Sequence, residues 1–390
     1  MGVGNLMIVQ GGGPTAVFNA SLCSAISEAA GPTAIGRVFG ARYGMQGLVK
    51  DDFVELGQMT AGELELLRNS PGAALGSSRY KPTEDDYDRM VENLRRREIR
   101  SMIFMGGNGT MRGASLVSKH CHDAGFSVQV IGVPKTVDND IAGTDRCPGF
   151  ASAARYMAQT TRDLGMDIRS LPQPVTILEV IGRSIGWLAA ATALAKGREA
   201  DAPHLIYLPE RPFHAESFLA DLDQIVTKHG WAIVVATEGI RNPDGSLVYE
   251  LKDPTHLDPL ARPMTGGVGQ FMANLVGENL KIRCRTEKPG LIARAARAHV
   301  SAQDQKDAEL VGRAGVRALA AGETEKMVSL LPLGTESEYE LVSLSKVADA
   351  ERPLPAEWIH NAAIPVGDEF FNYAKPLVGE LTPYFVRYTN

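Results

Sequence analysis

Ser101-Met102-Ile103-Phe104-Met105-Gly106-Gly107-Asn108-Gly109-Thr110 reads as a short buried strand that runs straight into a glycine loop. Met111–Ala124 follows with helical spacing, and Val128–Val133 is a second apolar run. Strand, helix and strand in that order is the unit of a parallel sheet, whose neighbouring strands need a crossover between them. The same alternation extends in both directions. Upstream, Leu6–Val9 is a strand, Gly11-Gly12-Gly13-Pro14 a tight loop, Ala16–Ala30 a helix, Ala34–Phe39 a strand and Glu84–Arg97 an amphipathic helix. Downstream, Gly149–Leu164 is a helix. A second set begins near residue 175: strand Val175–Val180, turn Gly182-Arg183-Ser184, helix Ile185–Ala195, strand His204–Leu208, helix Ala215–His229, and strand Ala232–Ala236 leading to Glu238. Asn242-Pro243-Asp244-Gly245 is a hairpin-type turn, and Val268–Leu280 and Ser301–Ala321 are helical. The tail from Glu351 to Asn390 has prolines and aromatics with little periodicity and is expected to wrap a surface. The fold class is α/β.

The chain has 390 residues, 44% of them apolar, enough for one large or two ordinary domains with a real core. A formal net charge of −6 argues against a general nucleic-acid surface. No apolar run approaches the roughly 18 residues of a membrane span. Met1-Gly2-Val3-Gly4-Asn5 carries no basic region of a signal peptide, so a cytoplasmic location is expected. The four cysteines, Cys23, Cys121, Cys147 and Cys284, show no metal-ligand spacing and read as free thiols.

The chemistry concentrates after the second strand of the opening unit, in Pro134-Lys135-Thr136-Val137-Asp138-Asn139-Asp140. In an open parallel sheet, ligands bind beyond the carboxyl ends of the strands. There one carboxylate can take a proton from a hydroxyl, a second can hold a metal, and a lysine can neutralise phosphate oxygens. Alone, Asp-Asn-Asp is also good turn and capping chemistry. Its neighbours decide between the two readings. Gly11–Pro14 and Gly106–Gly109 are both strand–glycine–helix transitions, the geometry in which backbone N–H groups and a helix dipole bind anions. There is no G-x-x-x-x-G-K-[ST], and the first loop does not fit G-x-G-x-x-G. The Ala34–Phe39 strand ends in Gly40-Ala41-Arg42 without an acidic residue for a ribose, which disfavours a nicotinamide dehydrogenase.

In this order the motifs resemble the phosphofructokinases of the ATP- and pyrophosphate-dependent group. Gly11–Pro14 with Asn19 resembles the first phosphate loop, Gly76-Ser77-Ser78-Arg79 the donor-phosphate arginine segment, and Gly106–Thr110 the second loop. Pro134–Asp140 resembles the catalytic segment, and Glu179-Val180-Ile181-Gly182-Arg183 the acceptor turn. Glu238 and Lys288-Pro289-Gly290-Leu291-Ile292-Ala293-Arg294 complete the series. The resemblance implies two packed three-layer α/β domains with mostly parallel sheets and an active site in the cleft between them. Residues 1–150 plus about 286–345 would bind the phosphoryl donor, and 151–285 plus about 346–390 the acceptor sugar. It implies Asp138 as base, with Thr136 on the transferred group, Arg183 offsetting its charge, and Lys135 in the catalytic segment able to neutralise pyrophosphate oxygens. Asp140 and Asn108 would hold Mg²⁺. Gly12, Gly13, Arg79, Gly107, Asn108, Gly109 and Thr110 would bind the donor. Ile181, Gly182, Glu238, Arg294 and Arg285, the last reaching a neighbouring subunit, would bind the acceptor. A homodimer or homotetramer acting on a small-molecule donor and a sugar phosphate follows, with neither nucleic acid nor membrane as partner.

Three departures from the family pattern bear on function. Asn108 stands where the family has Asp, and a neutral amide ligates Mg²⁺ less strongly. Gly109 leaves open the space that pyrophosphate users fill with Asp, whereas Lys135 is found among pyrophosphate users and some ATP users. Leu291 stands where the family has His or Tyr, and Pro174 near where it has a cation, which weakens the grip on a 6-phosphate. The leading expectation is an ATP-dependent sugar kinase with fructose 6-phosphate as default acceptor. The alternatives are a pyrophosphate-dependent enzyme, a kinase of a different sugar, and a catalytically weak regulator that binds nucleotide or sugar phosphate.

Overall fold

The computed structural model describes residues 4–31, 35–170, 174–250, 266–348 and 350–384. The readings of Met1–Val3, of Ala34 at the start of the second strand, and of the last six tail residues fall outside them. In chain order the elements are β1 (Gly4–Gln10), α1 (Phe18–Ala29), β2 (Ile35–Ala41), α2 (Met45–Lys50), β3 (Phe53–Glu55), α3 (Ala61–Asn69), α4 (Glu84–Arg96), β4 (Ile99–Gly106), α5 (Asn108–Asp123) and β5 (Gln129–Pro134). There follow α6 (Phe150–Ile168), β6 (Val175–Val180), α7 (Trp187–Ala191), β7 (Leu205–Tyr207), α8 (Ala215–His229), β8 (Ala232–Thr237), α9 (Val268–Asn279), β9 (Cys284–Glu287) and α10 (Ile292–Ala295). The chain ends with α11 (Ala302–Ala320), β10 (Lys326–Leu330), β11 (Tyr339–Ser343), α12 (Leu344–Val347) and α13 (Asp368–Val378).

Two compact units result: residues 1–150 with 294–352, and residues 151–293 with 353–390. Two stretches group differently from the sequence reading. Residues 286–293 stay with the second unit because β9 is paired in parallel to β6. Residues 346–352 stay with the first because α12 packs against α5 and the Arg352 N–H donates to the Asp140 carbonyl at 2.8 Å.

The first unit is built on a seven-stranded sheet in the order β11-β10-β5-β4-β1-β2-β3. Its five inner strands are parallel, and only the short edge strands β3 and β11 run antiparallel. Both faces are covered, so the central strands read as unbroken apolar runs. Period-two alternation then sorts the side chains. Leu6, Ile8, Ile103, Met105, Ile131 and Val133 pack on one face with α1 and α11. Met7, Val9, Met102, Phe104 and Val130 pack on the other with α4 and α5. The register aligns Gln10 with Met105 and Gly106 with Pro134. The carboxyl ends of β1, β4 and β5 therefore finish level.

The second unit has a parallel four-stranded sheet, β7-β8-β6-β9. Val180 stands opposite Thr237, so β6 and β8 also end together. The tail carries order that its composition hides. Phe370, Ala374, Leu377 and Val378 form the buried stripe of α13, and Trp187 lies 5.2 Å from Tyr373 and 6.3 Å from Phe370, centroid to centroid. Pro376 inside this helix obscures its period in the sequence. The Asn242–Gly245 turn closes with Gly245 N–H donating to the Asn242 carbonyl at 2.9 Å. All four cysteines are unpaired.

One buried ion pair fixes the stretch after the acidic turn. Arg146 grips Asp307 of α11 with both ends of its guanidinium, at 2.7 and 2.9 Å, and the two side chains are 5% and 4% exposed. Removing one partner strands the other charge in the core, which costs about 3–5 kcal/mol. Asp307→Ala should lose stability on that scale in urea unfolding. A loss below about 1 kcal/mol would mean that water or a neighbour replaces the pair.

Candidate active site

The site of the first unit is assembled where β1, β4 and β5 end. The Gly11 N–H donates to the Met105 carbonyl at 2.9 Å, and the Lys135 N–H to the Gly106 carbonyl at 3.0 Å. The two glycine loops and the lysine segment are thus stitched into one rim. Thr110 wedges between the loops: a Cβ on Gly106 would lie 2.2 Å from its Oγ1, and one on Gly11 would lie 2.5 Å away. Only glycine admits this approach. The Gly12 carbonyl accepts from the Ser77 hydroxyl at 2.7 Å, and the Gly13 carbonyl from Lys135 Nζ at 2.6 Å. α5 starts at Asn108 with no side-chain cap, so its first N–H groups remain available to an anion. At Gly109 a Cβ would meet nothing within 4 Å, so the open space expected there is present.

Lys135 is 2% exposed, and its ammonium lies 4.7 Å from the Phe18 ring centre. Burial lowers its pKa to about 8, and the Asp138 and Asp140 charges oppose that shift. Asp138 follows on a tight turn, its N–H donating to Thr136 Oγ1 at 3.1 Å. Asn139 is wholly buried with φ of 57°, a conformation in which asparagine is among the tolerated residues. Its Oδ1 accepts from the Cys147 N–H at 3.0 Å. Asn108 Nδ2 donates to Asp140 Oδ2 at 3.1 Å and to its carbonyl at 3.3 Å.

This pairing leaves two buried oxygens, Asn108 Oδ1 and Asp140 Oδ1, without a hydrogen-bond partner. Orphaned buried acceptors need an explanation. A hard cation supplies one, since Mg²⁺ prefers oxygen ligands. Burial raises the Asp140 carboxyl above its ordinary range, and Lys135 opposes that shift. Among the described residues no group of three or more His, Cys, Asp or Glu could hold a metal ion. The pair therefore suits a cation whose remaining ligands come from phosphate and water.

Arg294 also belongs to this unit. Its Nη1 lies 3.0 Å from where a Cβ on Gly13 would stand. Burial lowers its pKa, as does the Arg79 charge, and Asp138 opposes both. The structure therefore gathers Arg79, Lys135 and Arg294 around the first loop and Asp138. Arg294, expected to bind the acceptor, lies against the first glycine loop. Nearby Arg297 is engaged with Gln305 at 2.8 Å.

In the second unit the Glu238 N–H donates to the Val180 carbonyl at 3.0 Å. A Cβ on Gly239 would fall 1.7 Å from the Arg183 carbonyl. The turn Ile181-Gly182-Arg183 and Glu238 are thus brought together at the ends of β6 and β8, with Gly182 at φ 152° and Arg183 at φ 51°. Arg285 is not part of this cluster: it stands opposite Thr176, low on β6, and is exposed. Leu291 is 63% exposed, and the Pro174 carbonyl accepts from the Ala232 N–H at 2.5 Å. The sequence reading passed over Asn139 as the pivot of the acidic turn. Its place between two aspartates in a short loop is the available signal.

A family model described as phosphofructokinase matches residues 5–319. The chain belongs to the phosphofructokinase family. It is 35% identical over 387 residues to a pyrophosphate–fructose 6-phosphate 1-phosphotransferase of Xanthomonas campestris, covering 96% of this chain and 91% of the relative. It is 36% identical over 358 residues to a sulfofructose kinase of Alkalicoccus urumqiensis, covering 90% and 91%. The crystal structure of a pyrophosphate-dependent phosphofructokinase from Nitrosospira multiformis superposes with a TM-score of 0.88 at 31% identity, covering all of this chain and 95% of that one. The protein is a phosphotransferase with an alcohol acceptor, of α/β fold with mostly parallel sheets in two domains. The relatives favour the pyrophosphate alternative over the ATP default. Among the described residues no helix is long and apolar enough to cross a membrane.

A buried ammonium beside a glycine loop acts strongly on the charge of any phosphate held there. Lys135→Met removes a charged hydrogen-bond donor, worth about 1.5–3 kcal/mol, so kcat/KM for the donor should fall about 10- to 150-fold. The lysine is cationic below its pKa of about 8 and neutral above it. In the wild type kcat/KM for the donor should fall as pH rises through that value, and in Lys135→Met this limb should vanish. A limb that persists in the variant would exclude Lys135 as its source.

Proposed function

We propose that this protein transfers a phosphoryl group from pyrophosphate to the 1-hydroxyl of fructose 6-phosphate, giving the 1,6-bisphosphate and phosphate. The observation that carries the reading is Lys135: a buried cation, bonded to the Gly13 carbonyl at 2.6 Å, in a chain whose relatives include named pyrophosphate users. A short, highly charged donor gains most from a fixed cation in a dry site. Gly109 leaves room for a nucleotide, so Lys135 rather than steric exclusion sets the preference.

In this reading the first unit binds the donor and the second the acceptor. Asp138 takes the hydroxyl proton as the oxygen attacks phosphorus, and the bridging P–O bond of pyrophosphate breaks to release phosphate. Asn108 and Asp140 hold Mg²⁺, which neutralises donor charge when bound. Thr136, Lys135 and Arg183 contact the transferred group. Gly12, Gly13, Arg79, Gly107, Gly109 and Thr110 bind the donor, joined by Arg294. Ile181, Gly182 and Glu238 bind the sugar. Arg285, exposed on β9, serves a neighbouring copy in a homodimer or homotetramer. Positioning and charge neutralisation supply most of the rate in such chemistry.

A second reading concerns the acceptor. Leu291 and Pro174 remove a hydrogen-bond donor and a cation from the 6-phosphate grip, and one relative is named a sulfofructose kinase. A sulfonate carries one negative charge where a phosphate carries nearly two. The depleted cation set suits it.

Turnover with Mg²⁺, pyrophosphate or ATP, and fructose 6-phosphate or its 6-sulfonate analogue tests both points. Pyrophosphate with fructose 6-phosphate should give the highest kcat/KM. A higher value with ATP overturns the donor, and a higher value with the sulfonate overturns the acceptor. Silence in all four favours a binding regulator. Asp138→Ala should lower kcat about 10²- to 10⁴-fold with donor affinity kept. Near-normal kcat in that variant would exclude Asp138 as the base.

A further inference from the structure

A third glycine run, Gly266-Gly267-Val268-Gly269, opens α9 in the second unit. Glycines at a helix start normally cradle an external anion. Here the anion is internal. The Gly267 N–H donates to both oxygens of Glu179 at 3.1 Å, and the Gly269 N–H to Oε2 at 2.9 Å. Lys288 Nζ lies 2.6 Å from Oε1. Glu179 is 3% exposed, the one charged residue of β6. The loop is shaped around this carboxylate. A Cβ on Gly266 would lie 2.3 Å from Lys288 Nζ, and one on Gly267 would lie 2.7 Å from the Tyr249 ring, both at positive φ.

Three segments therefore meet on one buried charge. Glu179 is two residues from Ile181, where the acceptor turn begins. The Gly266–Gly269 run sets where α9 starts. Lys288 directly follows β9, which pairs with β6. An apolar side chain at position 179 would match the rest of Val175–Val180 and spare the desolvation of a carboxylate, and replacing buried ion pairs by apolar residues is often neutral or stabilising. The charge instead fixes one register: α9 and the β9 exit can dock on β6 only where their donors meet Glu179.

We propose that Glu179 is a positioning residue that, through the α9 start and Lys288, holds the Ile181–Arg183 turn in its sugar-binding geometry. This rests on the acceptor role given above to that turn. Neither Glu179 nor Lys288 is given a part in the phosphoryl transfer itself.

The test uses the full chain, with whichever of fructose 6-phosphate and its 6-sulfonate analogue the wild type turns over. Glu179→Gln should raise the acceptor KM at least tenfold and leave the donor KM within twofold. Lys288→Met, a half-exposed position that spares the core, should raise the acceptor KM about threefold. The double variant should be no worse than Glu179→Gln alone, because both changes break one unit. Calorimetric titration of the same acceptor should show the same order of affinities. An acceptor KM within twofold of wild type in a folded Glu179→Gln overturns the proposal, as does a parallel loss of donor and acceptor constants. If Glu179→Gln does not fold, an unchanged acceptor KM in Lys288→Met overturns it, and the selective rise supports it. A wild type silent with both sugars overturns the functional reading itself.

Discussion

The parallel ladder of the first unit is the constraint on which the arrangement of its loops and charged groups depends. The ladder between β1, β4 and β5 sets Gln10 beside Met105 and Gly106 beside Pro134. Once the apolar faces lock that register, three loops must leave the sheet at one height. Slipping any strand by one residue would turn its core side chains to the wrong face, so the convergence of glycines, lysine and aspartates is enforced by burial far below them.

Much of this was legible before the structure. Leu6–Val9, Ser101–Met105 and Val128–Val133 announce buried parallel strands because apolar residues run without interruption between loops. Gly11–Pro14, Gly106–Gly109 and Lys135–Asp140 announce the site because each lies just past such a run. Other parts carry weak local signal. The pair β10 and β11 is a short hairpin after a long helix, and α13 hides its stripe behind Pro376 and three aromatic residues. The pairings that stabilise the acidic turn are further beyond reach. Arg146 and Asp307 are 161 residues apart, and Asn139 acts through a backbone N–H that any residue could supply. Arg294 shows a related limit: its motif marked it as a phosphate ligand, but only the packing of the first unit sets it against Gly13.

The two units handle negative charge in opposite ways. In the first, cations gather around a glycine loop, and two buried oxygens, of Asn108 and Asp140, lack partners. In the second, a comparable glycine loop is satisfied by Glu179, an anion the chain supplies itself. Glycine loops at helix starts thus occur in both units, and in the second the N–H groups are met by a carboxylate of the chain in this way.

The division of the chain has a consequence for biosynthesis. Each unit is made of two stretches, and β5 acquires its neighbour β10 only from residues 326–330. A nascent chain that has emerged through residue 150 holds β5 with an unpaired flank and lacks α11, which covers one face of the sheet. For the time needed to translate some 180 further residues, at about 5–20 residues per second, that flank and face stay bare. The sheet of the first unit is closed only once α11 and residues 326–330 have been made, and until then β5 is an edge strand open to unwanted pairing.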